Sequence, residues 1–234
     1  MKWGLFAILL IIGLALYLAW TFFSQREAAV LSILLYRNGD ADGFLKELNT
    51  ASAKFFFSKK LRVLMAIDAY MMKNDDEALA KQFEKADAYR LRAADRLLVL
   101  QKELTWHVGR NEIDLAKKDF EEMSRIYDHD LSKKQKKTHE EMMREADYTN
   151  AIHIEKDGKY AHELMERAKN IKDDIPCGVT YYKAAQSYYL KGDKKQCQLA
   201  LEKAEPKLRK TSYHDLIQKM LDNKNYDQIL SMKI

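Results

Sequence analysis

Short polar turns recur along this chain at intervals close to 34 residues, and this spacing constrains the fold more than any other feature. The turns are separated by 35, 37, 47, 34 and 32 residues and are centred on Gly39, Asn74, Asn111, Gly158, Gly192 and Lys224. Apolar residues precede and follow each turn at the three- and four-residue spacing of one helix face. The pattern therefore predicts repeated pairs of antiparallel helices that bury one face against their neighbours.

The composition also favours an all-α fold. The 234 residues include only 8 glycines and 2 prolines, and several strands joined by tight turns would need more of both. The net charge of +5 is too small to indicate nucleic-acid binding, and no nucleic-acid-binding module is visible.

The fifth repeat shows the helical pattern most clearly. One face of its first helix carries Tyr181, Ala184, Ala185 and Tyr188. Gly192 and Asp193 follow, because glycine tolerates the left-handed conformation that ends a helix and aspartate caps the next one. The second helix carries Cys197, Leu201 and Ala204, and Pro206 closes the unit.

These residues resemble the tetratricopeptide repeat, in which bulky, small and aromatic residues alternate along two helices. The matching positions are Ala28, Leu31, Leu35, Phe44, Leu48 and Ala51 in the first repeat; Val63, Ala66, Ile67, Tyr70, Leu79, Phe83 and Ala86 in the second; Leu100, Leu104, Ala116, Phe120 and Met123 in the third; Ala161, Met165 and Ala168 in the fourth; Tyr213, Leu216, Ile217 and Met220 in the sixth. The fourth repeat departs from the pattern at Asp147 and needs a shift in register. The sixth has only a partial second helix, ending at Ile234.

The resemblance implies a right-handed superhelix of antiparallel helix pairs, a tetratricopeptide-like α-solenoid of about five to six units, over residues 25–234. A generic antiparallel helical array would give a similar pattern. The long interval before the fourth repeat places an insertion at about residues 127–138. Its lysines, Lys133, Lys134, Lys136 and Lys137, predict a solvated loop or an extended helix end, or else a contact with anionic lipid or an acidic partner.

A membrane anchor is predicted at residues 1–24. The segment Trp3–Phe23 contains no charged residue, and as a helix it would span roughly 31 Å, close to the hydrocarbon thickness of about 30 Å. Trp3 and Trp20 lie near its two ends, where indole rings favour the membrane interface. A cleavable signal peptide fits less well, because the apolar region is longer and no small-x-small cleavage site follows it.

Residue patterns for catalysis are missing from the sequence. None of the six histidines forms a helical zinc motif, no Cys-x-x-Cys is present, and the glycines form no phosphate-binding loop. Adjacent carboxylates such as Asp75 and Asp76 diverge by about 100° around a helix, so they do not converge on one substrate atom. We therefore expect no enzyme activity, no metal and no cofactor.

The remaining functional candidate is the concave groove that the family resemblance implies. In such proteins, set positions of the first helices point into the groove. Here those positions are Tyr36, Leu64, Asp68, Met71, Gln101, Thr105, Tyr148, Ile152, Tyr182, Gln186, Tyr189, His214 and Gln218. This mixture of aromatic, apolar and amide side chains suits an amphipathic helix or an extended peptide.

The sequence thus predicts a single-pass protein of the cell membrane, held by residues 3–23, that binds a protein or peptide partner as an adaptor or assembly factor. The alternative is a structural membrane protein that associates with itself as a homo-oligomer. Cys177 and Cys197 are predicted to be buried, unpaired thiols. Two free thiols and a lysine-rich body favour a cytoplasmic repeat domain.

Overall fold

The structure, a computed structural model, describes residues 2–231, and it describes side chains from Leu10 onward. Over this range the chain forms twelve α-helices, three π-helical turns and one 3-10 turn, with no β-strand. The all-α fold is therefore confirmed. The chain divides into two compact units at the boundary between Leu91 and Arg92.

The first unit contains five α-helices. They are α1 (Lys2–Ser32), α2 (Ala41–Leu48), α3 (Ala51–Phe56), α4 (Lys59–Lys73) and α5 (Asp76–Asp87). α1 continues directly into a π-helical turn over Ile33–Arg37. Each later helix begins at a side chain that accepts a hydrogen bond from a backbone N–H of the first turn, and these caps are Asp40, Thr50, Ser58 and Asp75.

The core of the first unit follows the predicted pattern with one local exception. α4 packs against both α2 and α5, and all the predicted positions of the second repeat are buried except the half-buried Tyr70. In the first repeat, Ala28 and Ala51 were predicted to be core residues but are exposed, whereas Ala53 is buried. The reason is the additional helix α3, which begins at Ala51 and turns Ala53 inward.

The second unit contains seven α-helices. They are α6 (Ala93–Gly109), α7 (Ile113–Arg125), α8 (Lys133–Thr149), α9 (Ala161–Ala168), α10 (Asp174–Leu190), α11 (Lys194–Ala204) and α12 (Tyr213–Asn223). π-helical turns extend α7 over Ile126–Asp130 and α8 over Asn150–Glu155. A 3-10 turn, Glu205–Lys207, follows α11.

Consecutive helices of the second unit pack as pairs. α6 packs against α7, and α10 packs against both α9 and α11. The fifth repeat forms the predicted pair, and its fully buried core residues are Ala184, Ala185, Cys197, Leu201 and Ala204. The superhelical arrangement implied by the family resemblance stays a prediction.

Left-handed residues mark the turns between paired helices. Five of the six predicted turns contain one at the predicted centre, with φ between 51° and 74°, namely Gly39, Asn74, Asn111, Gly192 and Lys224. In the remaining turn the left-handed residue is Lys156, not Gly158. Gly158 is instead required by packing, because a Cβ there would lie 2.1 Å from the carbonyl oxygen of Ser187.

The insertion before the fourth repeat is mostly helical. The π-helical turn of α7 reaches Asp130, and α8 begins at Lys133 behind a capping box formed by Ser132 and Gln135. The predicted basic segment is therefore the first turn of a long helix. Lys136 Nζ donates to the carbonyl oxygen of Asp128 at 2.7 Å, which ties this turn to the end of α7.

The chain after α12 does not form the predicted partial helix. Residues 225–231 form an irregular segment with a turn at 227–230, and residues 232–234 lie outside the described part. Cys177 and Cys197 are free and buried, as predicted. Burial raises the pKa of both thiols, that of Cys197 to about 12.

Within the part of the chain that the structure describes, no helix combines the length and the apolar character needed to cross a membrane. The side chain of Trp3, at the beginning of the predicted anchor, lies outside the described residues. Phe23, at its predicted end, is exposed on α1.

Candidate functional site

The predicted groove residues of the first unit lie on the π-helical turn that follows α1 and on α4. The Tyr36 hydroxyl donates to Asp68 Oδ2 at 2.9 Å, so the structure brings together one residue from each of the first two repeats. Leu64, Asp68 and Met71 are half-buried and share one face of α4. These four side chains form a mixed polar and apolar surface that water can reach.

A cavity of about 270 Å³ lies between α6, α8 and α10 in the second unit. We call it the central cavity, and it is lined by Gln101, Leu104, Thr105, Val108, Glu145, Ala146, Thr149 and Lys183. Gln101 and Thr105, both predicted groove residues, lie one turn apart on α6. The three helices are the first helices of the third, fourth and fifth repeats, which is where the sequence predicts a binding surface.

Charges in the central cavity are paired. Glu145 Oε2 lies 2.6 Å from Lys183 Nζ, and Glu145 Oε1 lies 3.3 Å from an Arg167 guanidinium nitrogen. Lys183 is mostly buried, so its ammonium group depends on the carboxylate for compensation. Besides this ion pair, the cavity offers an amide and two hydroxyls from Gln101, Thr105 and Thr149. Such groups hydrogen-bond a peptide backbone without demanding a particular charge.

The fourth repeat contributes different residues from those predicted. Tyr148 and Ile152 are fully buried in the core, with 0% exposure. The Tyr148 hydroxyl donates to Glu163 Oε1 at 2.7 Å. Glu145 and Thr149, three residues earlier on the helix, line the central cavity in their place. Contact between a partner and Tyr148 or Ile152 would therefore require a change in packing.

In the fifth repeat, the predicted residues Tyr182, Gln186 and Tyr189 are covered by the end of the chain. We call these three the α10 face, and we call Asn225–Ser231 the C-terminal segment. The Tyr182 hydroxyl and Gln186 Nε2 donate to the carbonyl oxygen of Ile229, at 2.7 and 2.9 Å. Tyr182 and Gln186 are consequently buried, whereas Tyr189 is half-buried.

The sixth repeat places its predicted residues at the surface. His214 is half-buried, and its Nε2 lies 2.8 Å from Glu205 Oε1. Hydrogen bonding to Asp215 and Glu205 raises the pKa of His214. Gln218 is exposed.

A second cavity, of about 490 Å³, lies beside the C-terminal segment. Its walls come from the α6–α7 turn, the end of α8 and the segment itself, and include Val108, Arg110, His153, Lys156, Asp227 and Leu230. His153 is almost fully buried, and its Nε2 has no hydrogen-bond partner among the described residues. Burial, reinforced by Lys156 and Lys183, lowers the pKa of His153 to about 4. The imidazole is therefore neutral near pH 7.

Reasoning from sequence missed the part played by the C-terminal segment. The spacing of Tyr226, Ile229 and Leu230 predicts part of a helix, whereas the structure has an irregular segment there. Over residues 10–231, no group of three or more metal-ligating side chains converges.

Comparison of the chain with models of protein families, with curated proteins and with solved structures gave no match.

Proposed function

We propose that this chain is a membrane-anchored protein-binding module, an adaptor or assembly factor built from tetratricopeptide-like helix pairs. The observation that carries the proposal is the surface of α1. Every residue from Leu10 to Trp20 is exposed, and all of them are uncharged. Soluble proteins rarely leave so large an apolar surface in contact with water. A helix that is apolar on all sides needs an apolar environment.

In the sequence, the uncharged run continues on the N-terminal side of Leu10. Residues 3–9, whose side chains lie outside the described part, add seven uncharged residues. At the other end, the Trp20 ring lies 4.9 Å from the Phe55 ring and 5.0 Å from the Phe56 ring. Phe55 is itself 68% exposed. An aromatic cluster at the end of an apolar helix suits the interface between lipid and water.

The partner-binding part of the proposal rests on the central cavity and on the half-buried face of α4 that carries Leu64, Asp68 and Met71. Both offer hydrogen-bonding groups beside apolar side chains, and neither brings together a nucleophile, a base and an oxyanion site. Confining such a surface to a membrane raises its effective concentration toward partners at the same membrane. We place the helical units on the cytoplasmic side.

Fractionation of cells that express the full chain tests the membrane part. The wild-type chain should stay in the membrane pellet after an alkaline carbonate wash. Leu14→Arg should move into the supernatant, because an arginine near the middle of a membrane helix costs roughly 2.5–3.5 kcal/mol. Leu199→Arg, at an exposed position on α11, is the matched control and should remain in the pellet. A wild-type chain found in the supernatant would refute membrane anchoring.

Partner binding is tested on the same membranes. A tagged wild-type chain should co-purify with a protein partner, and Thr105→Arg should lose it because the larger side chain fills the central cavity. In the alternative function, self-association, the helical array binds a second copy of itself and α1 pairs through the face that carries Ala15 and Ala19. The mass of the detergent-solubilised chain separates the two, since a monomer excludes self-association.

A further inference from the structure

The C-terminal segment packs into the second unit without forming regular secondary structure. Ile229 is fully buried and Tyr226 nearly so, although both follow the last helix of the chain. The Tyr226 hydroxyl donates to Gln198 Oε1 at 3.3 Å. The segment follows directly on the left-handed Lys224 that terminates α12.

The α10 face recognises the backbone of this segment. Two side chains from successive turns of α10, Tyr182 and Gln186, donate to the single carbonyl oxygen of Ile229. One turn further along, the Tyr189 hydroxyl donates to Asp227 Oδ1 at 3.2 Å. The main contact is therefore a backbone carbonyl, which any peptide carries, and the buried isoleucine side chain adds selectivity.

Hydrogen-bonding capacity at the α10 face is not exhausted by the segment. Gln186 is fully buried, yet its Oε1 has no hydrogen-bond partner among the described residues. A buried glutamine normally uses both ends of its amide. Gln186 Oε1 can thus accept from a peptide N–H that the C-terminal segment does not supply.

One flank of the segment is loosely packed. The cavity of about 490 Å³ separates Asp227, Leu230 and Ser231 from the α6–α7 turn. The segment belongs to none of the helix pairs, so its departure would leave the paired helices in place. Its opening would expose the buried side chains of Ile229 and Tyr226, and these two residues set most of the free energy that opening costs.

We propose that the α10 face is a peptide-binding site which the C-terminal segment occupies in cis. A partner peptide that presents a branched aliphatic side chain beside an accepting carbonyl takes the same site by displacing the segment. This inference rests on the proposed protein-binding function and specifies one of its sites. Because the segment competes at the high effective concentration of a tethered ligand, the intact chain binds such a peptide weakly until the segment is released.

The test uses the full chain and a fluorescein-labelled peptide with the sequence of residues 224–231. Ile229→Asp places a carboxylate in an apolar site and should release the segment in the full chain. Fluorescence anisotropy should then show binding at least tenfold tighter than to the wild-type chain. A peptide that carries Ile229→Asp should not bind, whereas one that carries Gln228→Ala should bind normally because Gln228 is exposed.

Two results would overturn the inference: no peptide binding by an Ile229→Asp chain that keeps its helical circular dichroism, or equal binding by that chain and the wild type. If Ile229→Asp unfolds the chain, hydrogen exchange of the wild-type chain tests instead whether the C-terminal segment opens more easily than the helices. The Ile229 amide, which donates to the carbonyl oxygen of Tyr226 at 2.9 Å, should exchange at least tenfold faster than amides in the middle of α10. Equal exchange rates for the Ile229 amide and the amides of α10 would show that the segment opens only with the core, which would overturn the inference. If the Ile229→Asp chain stays in the membrane pellet but does not bind the peptide, the result excludes this binding site and leaves the proposed membrane anchoring standing.

Discussion

Replacing His153 with glutamine should make the stability of the chain less sensitive to acid. The imidazole is buried at the end of α8, and burial lowers its pKa to about 4, with Lys156 and Lys183 adding to the effect. In the unfolded chain the same group has its ordinary pKa of 6.5. The folded protein therefore excludes a proton that the unfolded chain accepts.

The sign and size of the effect follow from this difference. At about pH 7.5 and above, a full unit over the unfolded pKa, His153 is almost entirely neutral in both states and contributes almost no pH dependence. As the pH falls below this value, the unfolded chain gains a proton first, so the free energy of unfolding decreases. The loss is about 2 kcal/mol at pH 5 and approaches about 3 kcal/mol near pH 4.

Urea unfolding at about pH 7.5 and about pH 5 measures the effect. On acidification the wild type should lose about 2 kcal/mol more than His153→Gln, and comparing losses removes any constant cost of the substitution. His214→Gln is the control, because contacts with Asp215 and Glu205 raise the pKa of His214. His214 stabilises the fold below its unfolded pKa, so His214→Gln should lose more than the wild type on acidification. Equal losses in the wild type and His153→Gln would refute the argument.

Two further predictions concern packing. Leu201→Ala should lower the free energy of unfolding by roughly 2–5 kcal/mol because the side chain is fully buried, whereas Leu199→Ala, on the exposed side of α11, should change it by less than about 1 kcal/mol. Similar losses in urea unfolding would contradict the buried face assigned to α11. Gly158→Ala should destabilise the fold by about 1–3 kcal/mol through the clash with the Ser187 carbonyl. Gly109→Ala is the control and should not destabilise the fold, because its Cβ would meet no atom within 4 Å. An unchanged melting temperature of Gly158→Ala in calorimetry would exclude the clash.

The helices and turns could be predicted because their signals are local. A glycine or an asparagine in the left-handed conformation ends a helix through its own backbone preference. An aspartate such as Asp193 caps the next helix by accepting from Gln196 N–H within the same turn. The helix period then identifies the buried faces of α4, α5, α10 and α11. The extra helix α3 was missed because it interrupts the interval between the first two repeats without changing the spacing of their turns.

Most of the candidate site could not be predicted because it depends on contacts distant in sequence. Nothing near Tyr182 or Gln186 indicates that Ile229, more than 40 residues later, covers them. The periodicity of α8 likewise shows that one face is buried, but not which neighbour buries it. Tyr148 and Glu145 are three residues apart, and only packing decides which of them faces the central cavity.

The π-helical turn at Asn150–Glu155 bears on how this sequence should be aligned with others. Gln101 and Glu145 line the same cavity from successive repeats. The first core residue of the following helix, Ala116, comes fifteen residues after Gln101, whereas Ala161 comes sixteen residues after Glu145. A π turn accommodates one residue more than an α turn, since its hydrogen bonds span five residues. The helix that contains Glu145 can therefore absorb an extra residue without breaking, so an alignment of the fourth repeat has to allow a gap inside this helix as well as in the loop after it.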